Sequence, residues 1–182
     1  TFESVYVVDS SLSNNQNMIG GFTGELINSS VSKSAAINIS VSGANTIGGI
    51  SGQLSKNTTV EDTYVTGSLV GNSTHSLGAR VGGITGWHSG KAIERCFTKV
   101  KITAPKATGN GGLIGGPQNN HAVVKNSLSM SGGSAYRIAG FNALNNMEGV
   151  YEWSGSDALT QADSSNKIQG ISEIYNESFY AG

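Results

Sequence analysis

Two adjacent glycines held between apolar residues, with a third glycine three positions on, recur along this chain. The copies are Ile19-Gly20-Gly21-Phe22-Thr23-Gly24, Ile47-Gly48-Gly49-Ile50-Ser51-Gly52, Val81-Gly82-Gly83-Ile84-Thr85-Gly86 and Asn110-Gly111-Gly112-Leu113-Ile114-Gly115, the last with Asn110 in the apolar slot. A worn fifth copy reads Ile138-Ala139-Gly140-Phe141-Asn142-Ala143. The leading members Gly20, Gly48, Gly82, Gly111 and Ala139 are 28, 34, 29 and 28 residues apart, a period that belongs to a solenoid or propeller array. A phosphate-cradling loop would occur once, and Gly90-Lys91 lacks both the earlier glycine and the following hydroxyl that it needs, since Thr85 and Ala92 hold those places.

A second element opens on an apolar residue: Phe2-Glu3-Ser4-Val5-Tyr6, Ile27-Asn28-Ser29-Ser30-Val31, Val60-Glu61-Asp62-Thr63-Tyr64, Ile93-Glu94-Arg95-Cys96-Phe97, Val124-Lys125-Asn126-Ser127-Leu128 and Met147-Glu148-Gly149-Val150-Tyr151. Short alternating β-branched runs follow it, such as Phe97 to Ile102. Strands this short are unstable alone but can stack coil on coil at about 4.8 Å. The fold expected is therefore all-β, a parallel β-solenoid of about five to six coils over residues 1–153. Propeller blades are longer, at roughly 40 to 50 residues. Ile47 and Ile50 lie three apart, which would put them on opposite faces of a regular strand, so the chain must bend at each glycine pair. Gly20, Gly21, Gly48, Gly49, Gly82, Gly83, Gly111 and Gly112 are assigned as structural corners, needed for positive φ or for close backbone approach. After Trp153 the repeat stops. Residues 154–182 are expected to form a loop and a short capping helix, with Ile171, Ile174, Tyr175 and Phe179 at helical spacing behind Ser172.

Charged residues make up only 13% of the 182, against roughly 25% in an average domain, and the net charge is −1 with no basic stripe. Nucleic acid is not an expected partner, and no apolar run is long enough to span a bilayer. The single cysteine, Cys96, cannot form an internal disulfide. Thr1 falls within a strand pattern without an initiator Met, so the chain reads as a piece of something longer.

The glycine motif followed by Val60-Glu61-Asp62-Thr63-Tyr64-Val65-Thr66-Gly67 and its variants resembles the GLUG repeats of bacterial surface proteins. With the closing stretch from Gly170 to Tyr180, the order of repeats is similar to the region upstream of the catalytic domain in streptococcal immunoglobulin A1 proteases and related cell-wall-anchored zinc metalloproteases. The likeness runs from Phe2 to Tyr180. It implies an extracellular, secreted or cell-wall location, and as partners the other domains of a parent chain and the immunoglobulin A1 heavy chain. Zinc is implied only in the parent's catalytic domain, with no cofactor in this segment. The role expected is to position that domain or help to hold its substrate. An adhesin-type module for host glycan or protein is the alternative, and a carbohydrate-active β-helix enzyme a third.

No catalytic or metal-ligating set is assigned. The zinc motif His-Glu-x-x-His is absent, because Ser76, Ser89 and Ala122 follow His75, His88 and His121, which read as exposed loop histidines. Calcium corners would need aspartates where Thr23, Ser51, Thr85, Ile114 and Asn142 stand. The column Glu3, Asn28, Glu61, Glu94, Lys125, Glu148 brings like charges together on adjacent coils but reads as a solvated face beside Arg95. Cys96 shares its slot with Val5, Ser30, Thr63, Ser127 and Val150, all small, and is assigned to packing. Tyr6, Val31, Tyr64, Phe97, Leu128 and Tyr151 form a further column. Its even separation from the opening residue favours the core, while facing outward it would be a ladder for a glycan or protein. The candidate partner contacts are Trp87 and His88, with Asn119, Asn120 and His121, in loops that interrupt the repeat.

Overall fold

The computed structural model describes residues 1–15, 17–73, 79–105, 109–117, 123–136, 138–140, 147–153, 157 and 168–171. Every strand pair among them is parallel, and the chain winds as a β-solenoid. The first coil holds β1 (Phe2–Glu3), β2 (Tyr6–Val8), β3 (Ser11–Ser13), β4 (Met18–Gly20) and β5 (Thr23–Ile27). The second holds β6 (Ser30–Ser32), β7 (Ala35–Gly43), β8 (Thr46–Gly48) and β9 (Ser51–Ser55). The third repeats this with β10 (Thr59–Glu61), β11 (Tyr64–Gly71), β12 (Arg80–Gly82) and β13 (Thr85–Ser89), and the fourth with β14 (Ala92–Glu94), β15 (Phe97–Thr103), β16 (Asn110–Gly111) and β17 (Ile114–Pro117). After these come β18 (Val124–Lys125), β19 (Leu128–Ser129), β20 (Gly132–Gly133), β21 (Met147–Glu148), β22 (Val150–Trp153) and β23 (Ile168–Ile171).

Four sheets run along the stack. The first is ordered β1-β6-β10-β14-β18-β21, the second follows β2-β7-β11-β15-β19-β22-β23, the third is β4-β8-β12-β16 and the fourth β5-β9-β13-β17. Among the described residues four coils close through all four sheets, against the five to six expected. Among the described residues the fifth shows the bridges Gly111↔Tyr136 and Ile114↔Ala139 on its far side, and the sixth joins the first two sheets.

The glycine corners bend as required, since Ile47 and Ile50 are both completely buried. Close approach, not positive φ, is what demands glycine. A Cβ on Gly48 would lie 2.6 Å from the Ile84 carbonyl oxygen, and one on Gly49 would fall on the Gly83 carbonyl. The corners are tied to one another by Gly21 N–H to Gly49 O (3.1 Å), Gly49 N–H to Gly83 O (3.1 Å) and Gly83 N–H to Gly111 O (3.3 Å).

A different device turns the chain between the first and second sheets. Ser4, Lys33, Asp62, Arg95, Asn126 and Gly149 all hold positive φ, between 47° and 59°. In the second, third and fifth coils the next residue bridges the kink with its hydroxyl: Ser34, Thr63 and Ser127 each donate to the carbonyl two residues back, at 2.7 Å. Ser34 and Ser127 also accept an N–H from the preceding coil, from Val5 and Cys96 at 3.1 Å. The Cys96 thiol fills the same slot against the Glu94 carbonyl at 3.3 Å.

That kink corrects three expectations. Register pairs Phe2 with Val31 and Val31 with Val60, so the second copy opens at Val31 and not Ile27. Asn28, Ser30 and Val31 thereby leave the columns assigned to them, and Ser32, Ser34 and Ala35 take their places. The column Tyr6, Ala35, Tyr64, Phe97, Leu128, Tyr151 faces outward, with Tyr6 61% and Tyr64 39% exposed, because a left-handed residue inside the four-residue interval breaks strand alternation. In the fifth motif the bridges align Ile138 with Leu113 and Ala139 with Ile114, three residues away from the spelling match. Ile138 is buried there, so core packing set the register where the glycines had eroded.

At the far end, Ile168–Ile171 forms β23 on the open edge of β22, which takes Gln169 out of the expected loop and Ile171 out of the expected helix. An added strand gives the backbone groups along that edge partners that a helix at Ile171 would not supply. Ser172, Ile174, Tyr175 and Phe179 lie outside the described residues, and no helix occurs among those described.

Replacing Gly49 by Val drives a branched side chain into the Gly83 carbonyl and the Val65 methyl. We expect a loss of about 3 kcal/mol in urea or thermal unfolding, well above the ~1 kcal/mol typical of single substitutions.

Candidate functional site

Chemistry-bearing side chains gather in two places, a charged column on the first sheet and the strand β13. In the column, Glu61 and Glu94 sit side by side on β10 and β14, the juxtaposition that general acid–base chemistry would require. Arg95 projects from the left-handed corner and occupies it. Its Nη2 reaches Glu61 Oε2 at 2.9 Å, its Nε meets Asp62 Oδ1 at 2.7 Å and its Nη1 meets Glu94 Oε2 at 3.3 Å. The hydrogen bond from Arg95 holds the Asp62 carboxyl below its ordinary value despite some desolvation, and the Arg95 guanidinium is raised in return. Elsewhere in the column Lys33 pairs with Glu3 at 3.0 Å and Lys125 with Glu148 at 3.2 Å. The result is a lattice of exposed ion pairs, all but Arg95–Glu94 tying one coil to the next.

Cys96 is buried, and burial pushes its thiol up to about 12, so it carries no thiolate at neutral pH. No cluster of three or more metal-ligating side chains occurs among the described residues.

Trp87 and His88 lie in β13, paired with β9 and β17, and not in an interrupting loop. Alternation sends them to opposite faces. His88 packs inward in the column of Leu26 and Leu54 and is fully buried, out of reach of a partner. Its Nδ1 accepts from Gly90 N–H at 3.3 Å, which leaves Nε2 to carry the proton. Burial lowers its pKa to about 4, with the Val123 carbonyl acting more weakly in the other direction. His75, Asn119, Asn120 and His121 lie outside the described residues.

Trp87 faces outward and is half-buried, with the Arg80 guanidinium 4.3 Å from its ring centroid. Beside it on the same face is Gln53, whose amide donates to Glu25 Oε1 at 3.3 Å and to Ser55 Oγ at 2.8 Å, while Ser55 donates to Glu25 at 2.7 Å. An aromatic ring, a guanidinium and a fixed amide–carboxylate pair make a surface suited to hydrogen-bonded recognition. The sequence reading did not include Arg80, Gln53, Glu25 and Ser55. Period-2 alternation from Thr85, aligned with Ser51 and Thr23, carries the signal that places Gln53, Ser55 and Glu25 with Trp87, whereas Arg80 reaches the ring from β12.

Two measurements follow. Burial lowers the folded His88 pKa from its ordinary 6.5 to about 4, so the unfolded chain holds more protons between those values. The stability it contributes is complete above pH 6.5 and is lost as pH falls through about 4, a change approaching roughly 3 kcal/mol. Denaturation from pH 7 to 4 should therefore show a shallower decline for His88→Leu than for the parent chain. Arg95→Ala should cost under ~1 kcal/mol, and less in high salt, because its ion pairs are exposed.

In comparisons with known proteins, no family model, no curated protein and no solved structure matches the chain.

Proposed function

We propose that this chain is a non-catalytic β-solenoid segment of an extracellular Gram-positive zinc metalloprotease of the immunoglobulin A1 protease type, and that it positions the catalytic domain relative to the substrate. The observation that carries the reading is mechanical. Four parallel sheets run through four coils, with one register shift between Val65 and Gly67 against β7, so the two ends of the rod are held by hydrogen-bond ladders. The repeat spelling supplies the parent, by resemblance. Zinc belongs to the parent's catalytic domain in this reading, and other domains of the same chain are the partners. A second reading, an adhesin-type module that grips host glycan or protein, is favoured by the outward Tyr6 and Tyr64 and by Trp87 under Arg80.

The purified segment is expected to leave immunoglobulin A1, casein and polysaccharides uncut, with or without added zinc. Turnover abolished by Glu61→Gln or Glu94→Gln would overturn the proposal. In a biosensor titration, no binding of immunoglobulin A1 up to about 100 μM agrees with positioning, given that contacts worth a functional hold reach well below that. Binding weakened tenfold or more by Trp87→Ala would instead select the second reading.

A further inference from the structure

Two arginines stand among the described residues, and their side chains are placed in opposite ways. Arg95 is surrounded by the carboxylates of Glu61, Asp62 and Glu94. Arg80 meets no carboxylate. Its guanidinium lies 4.3 Å from the Trp87 ring centroid and makes neither an ion pair nor a hydrogen bond with the described residues. Stacking on an indole fixes the plane of a guanidinium without using any of its N–H donors, so the fork is oriented and still open to an acceptor.

Around the Gly82–Gly83 corner the polarity reverses. Glu25, Gln53 and Trp87 form one column on the fourth sheet, on successive coils at about 4.8 Å spacing. Gln53 donates its amide hydrogens to Glu25 Oε1 and Ser55 Oγ, and Ser55 donates to the same Glu25 oxygen. Gln53 Oε1 and Glu25 Oε2 are left as acceptors with no donor among the described residues. Arg80, Trp87, Gln53 and Glu25 are all half-buried, which sharpens the demand for partners at both ends. The face thus presents a cationic fork beside an aromatic ring, with a row of bare acceptors leading away from it.

We propose that this face binds a hexuronic acid unit of a polysaccharide, with its carboxylate on the Arg80 fork and its ring hydroxyls donating to Gln53 Oε1 and Glu25 Oε2. A planar carboxylate matches the fork with two parallel hydrogen bonds. Vicinal hydroxyls supply the donors that acceptors on adjacent coils require, and the C–H bonds of a sugar ring suit contact with an indole. Charge alone argues against an anion here, because Glu25 carries the same sign; the hydroxyl donors make an acidic ligand compatible with it. An acidic peptide offers carboxylates without those donors, and a neutral sugar leaves the fork unpaired. The inference rests on the second reading above, which it narrows from glycan or protein to one chemistry, and it does not depend on the parent assigned to the chain.

The probe is a tetramer of glucuronic acid, with the corresponding glucose tetramer as a matched sugar that carries hydroxymethyl groups in place of carboxylates. In calorimetric titration we expect the acid tetramer to bind with a Kd below about 1 mM, and the glucose tetramer and tetra-aspartate each to bind at least about tenfold more weakly. Arg80→Lys keeps the charge and loses the fork; it should weaken binding at least about tenfold while thermal unfolding stays unchanged. Glu25→Ala is the sharper variant. Removing an acid strengthens a purely Coulombic attraction to an anion, whereas here it should weaken binding about threefold or more by taking away an acceptor. The proposal is overturned if the acid tetramer does not bind, if the glucose tetramer, tetra-aspartate or sialyllactose binds as tightly, if Arg80→Lys binds undiminished, or if Glu25→Ala binds more tightly. Those results leave the positioning role untouched, and capture of immunoglobulin A1 that depends on Trp87, alongside an inert acid tetramer, overturns this inference alone.

Discussion

The constraint on which the molecule depends is the close approach of carbonyl oxygens from one coil to the corner of the next. At Gly49 the neighbouring Gly83 oxygen stands where a Cβ would be, and the same crowding recurs at Gly21 with the Gly49 oxygen and at Gly83 with the Gly112 oxygen. Because the corners sit this close, their N–H groups reach across to the next coil and the flanking isoleucines and valines bury on both sides of the bend. The sheets on either side are then brought into phase by the corner. A substituent at one corner would lift two coils apart along their whole circumference, which makes a local steric demand a global one.

The second turn solves the same geometric problem with other chemistry. A residue at positive φ costs an L-amino acid about 1 kcal/mol or more, and it turns the peptide that follows it out of the strand ladder. At Ser34 and Ser127 the hydroxyl that follows gives the preceding coil's Val5 and Cys96 N–H an acceptor, and there and at Thr63 it donates to the carbonyl two residues back, a use that suits a chain poor in charge and rich in serine and threonine. Burying a hydroxyl is tolerable only when it is bonded, and the Ser34 and Ser127 hydroxyls are bonded twice. Cys96 and Val150 show that the slot asks first for small size and only then for a donor.

Charge enters where these corners reach solvent. Arg95, Lys33, Asp62 and Asn126 all project from left-handed positions, where long or polar side chains meet water without disturbing the stack. Individually such pairs contribute little. Their arrangement keeps like charges on neighbouring coils from repelling, so a column that holds Glu61 and Glu94 side by side is compatible with folding. The face around Trp87 differs in kind, since its ring, guanidinium and amide–carboxylate pair are held by strands of the third and fourth sheets rather than by exposed corners.

How far the sequence reached follows from what repeats. The period, the parallel stacking, the corner role of the glycine pairs and the small slot at Cys96 all depend on steric demands made again in every coil, and such demands leave a spelling. Whether a column faces in or out depends on the backbone sign of one residue between two apolar ones, and residue type does not determine it, as serine, lysine, aspartate, arginine, asparagine and glycine all adopt it here. The outward turn of Tyr6 and Tyr64, the burial of His88 beside an exposed Trp87, the shift of the fifth motif to bring Ile138 into the core, and the pairing of Ile168–Ile171 with β22 were therefore decided by tertiary structure. In each case the choice was made by which neighbouring coil could bury an apolar side chain or satisfy a strand edge, and that neighbour lies 18 or more residues away in the chain.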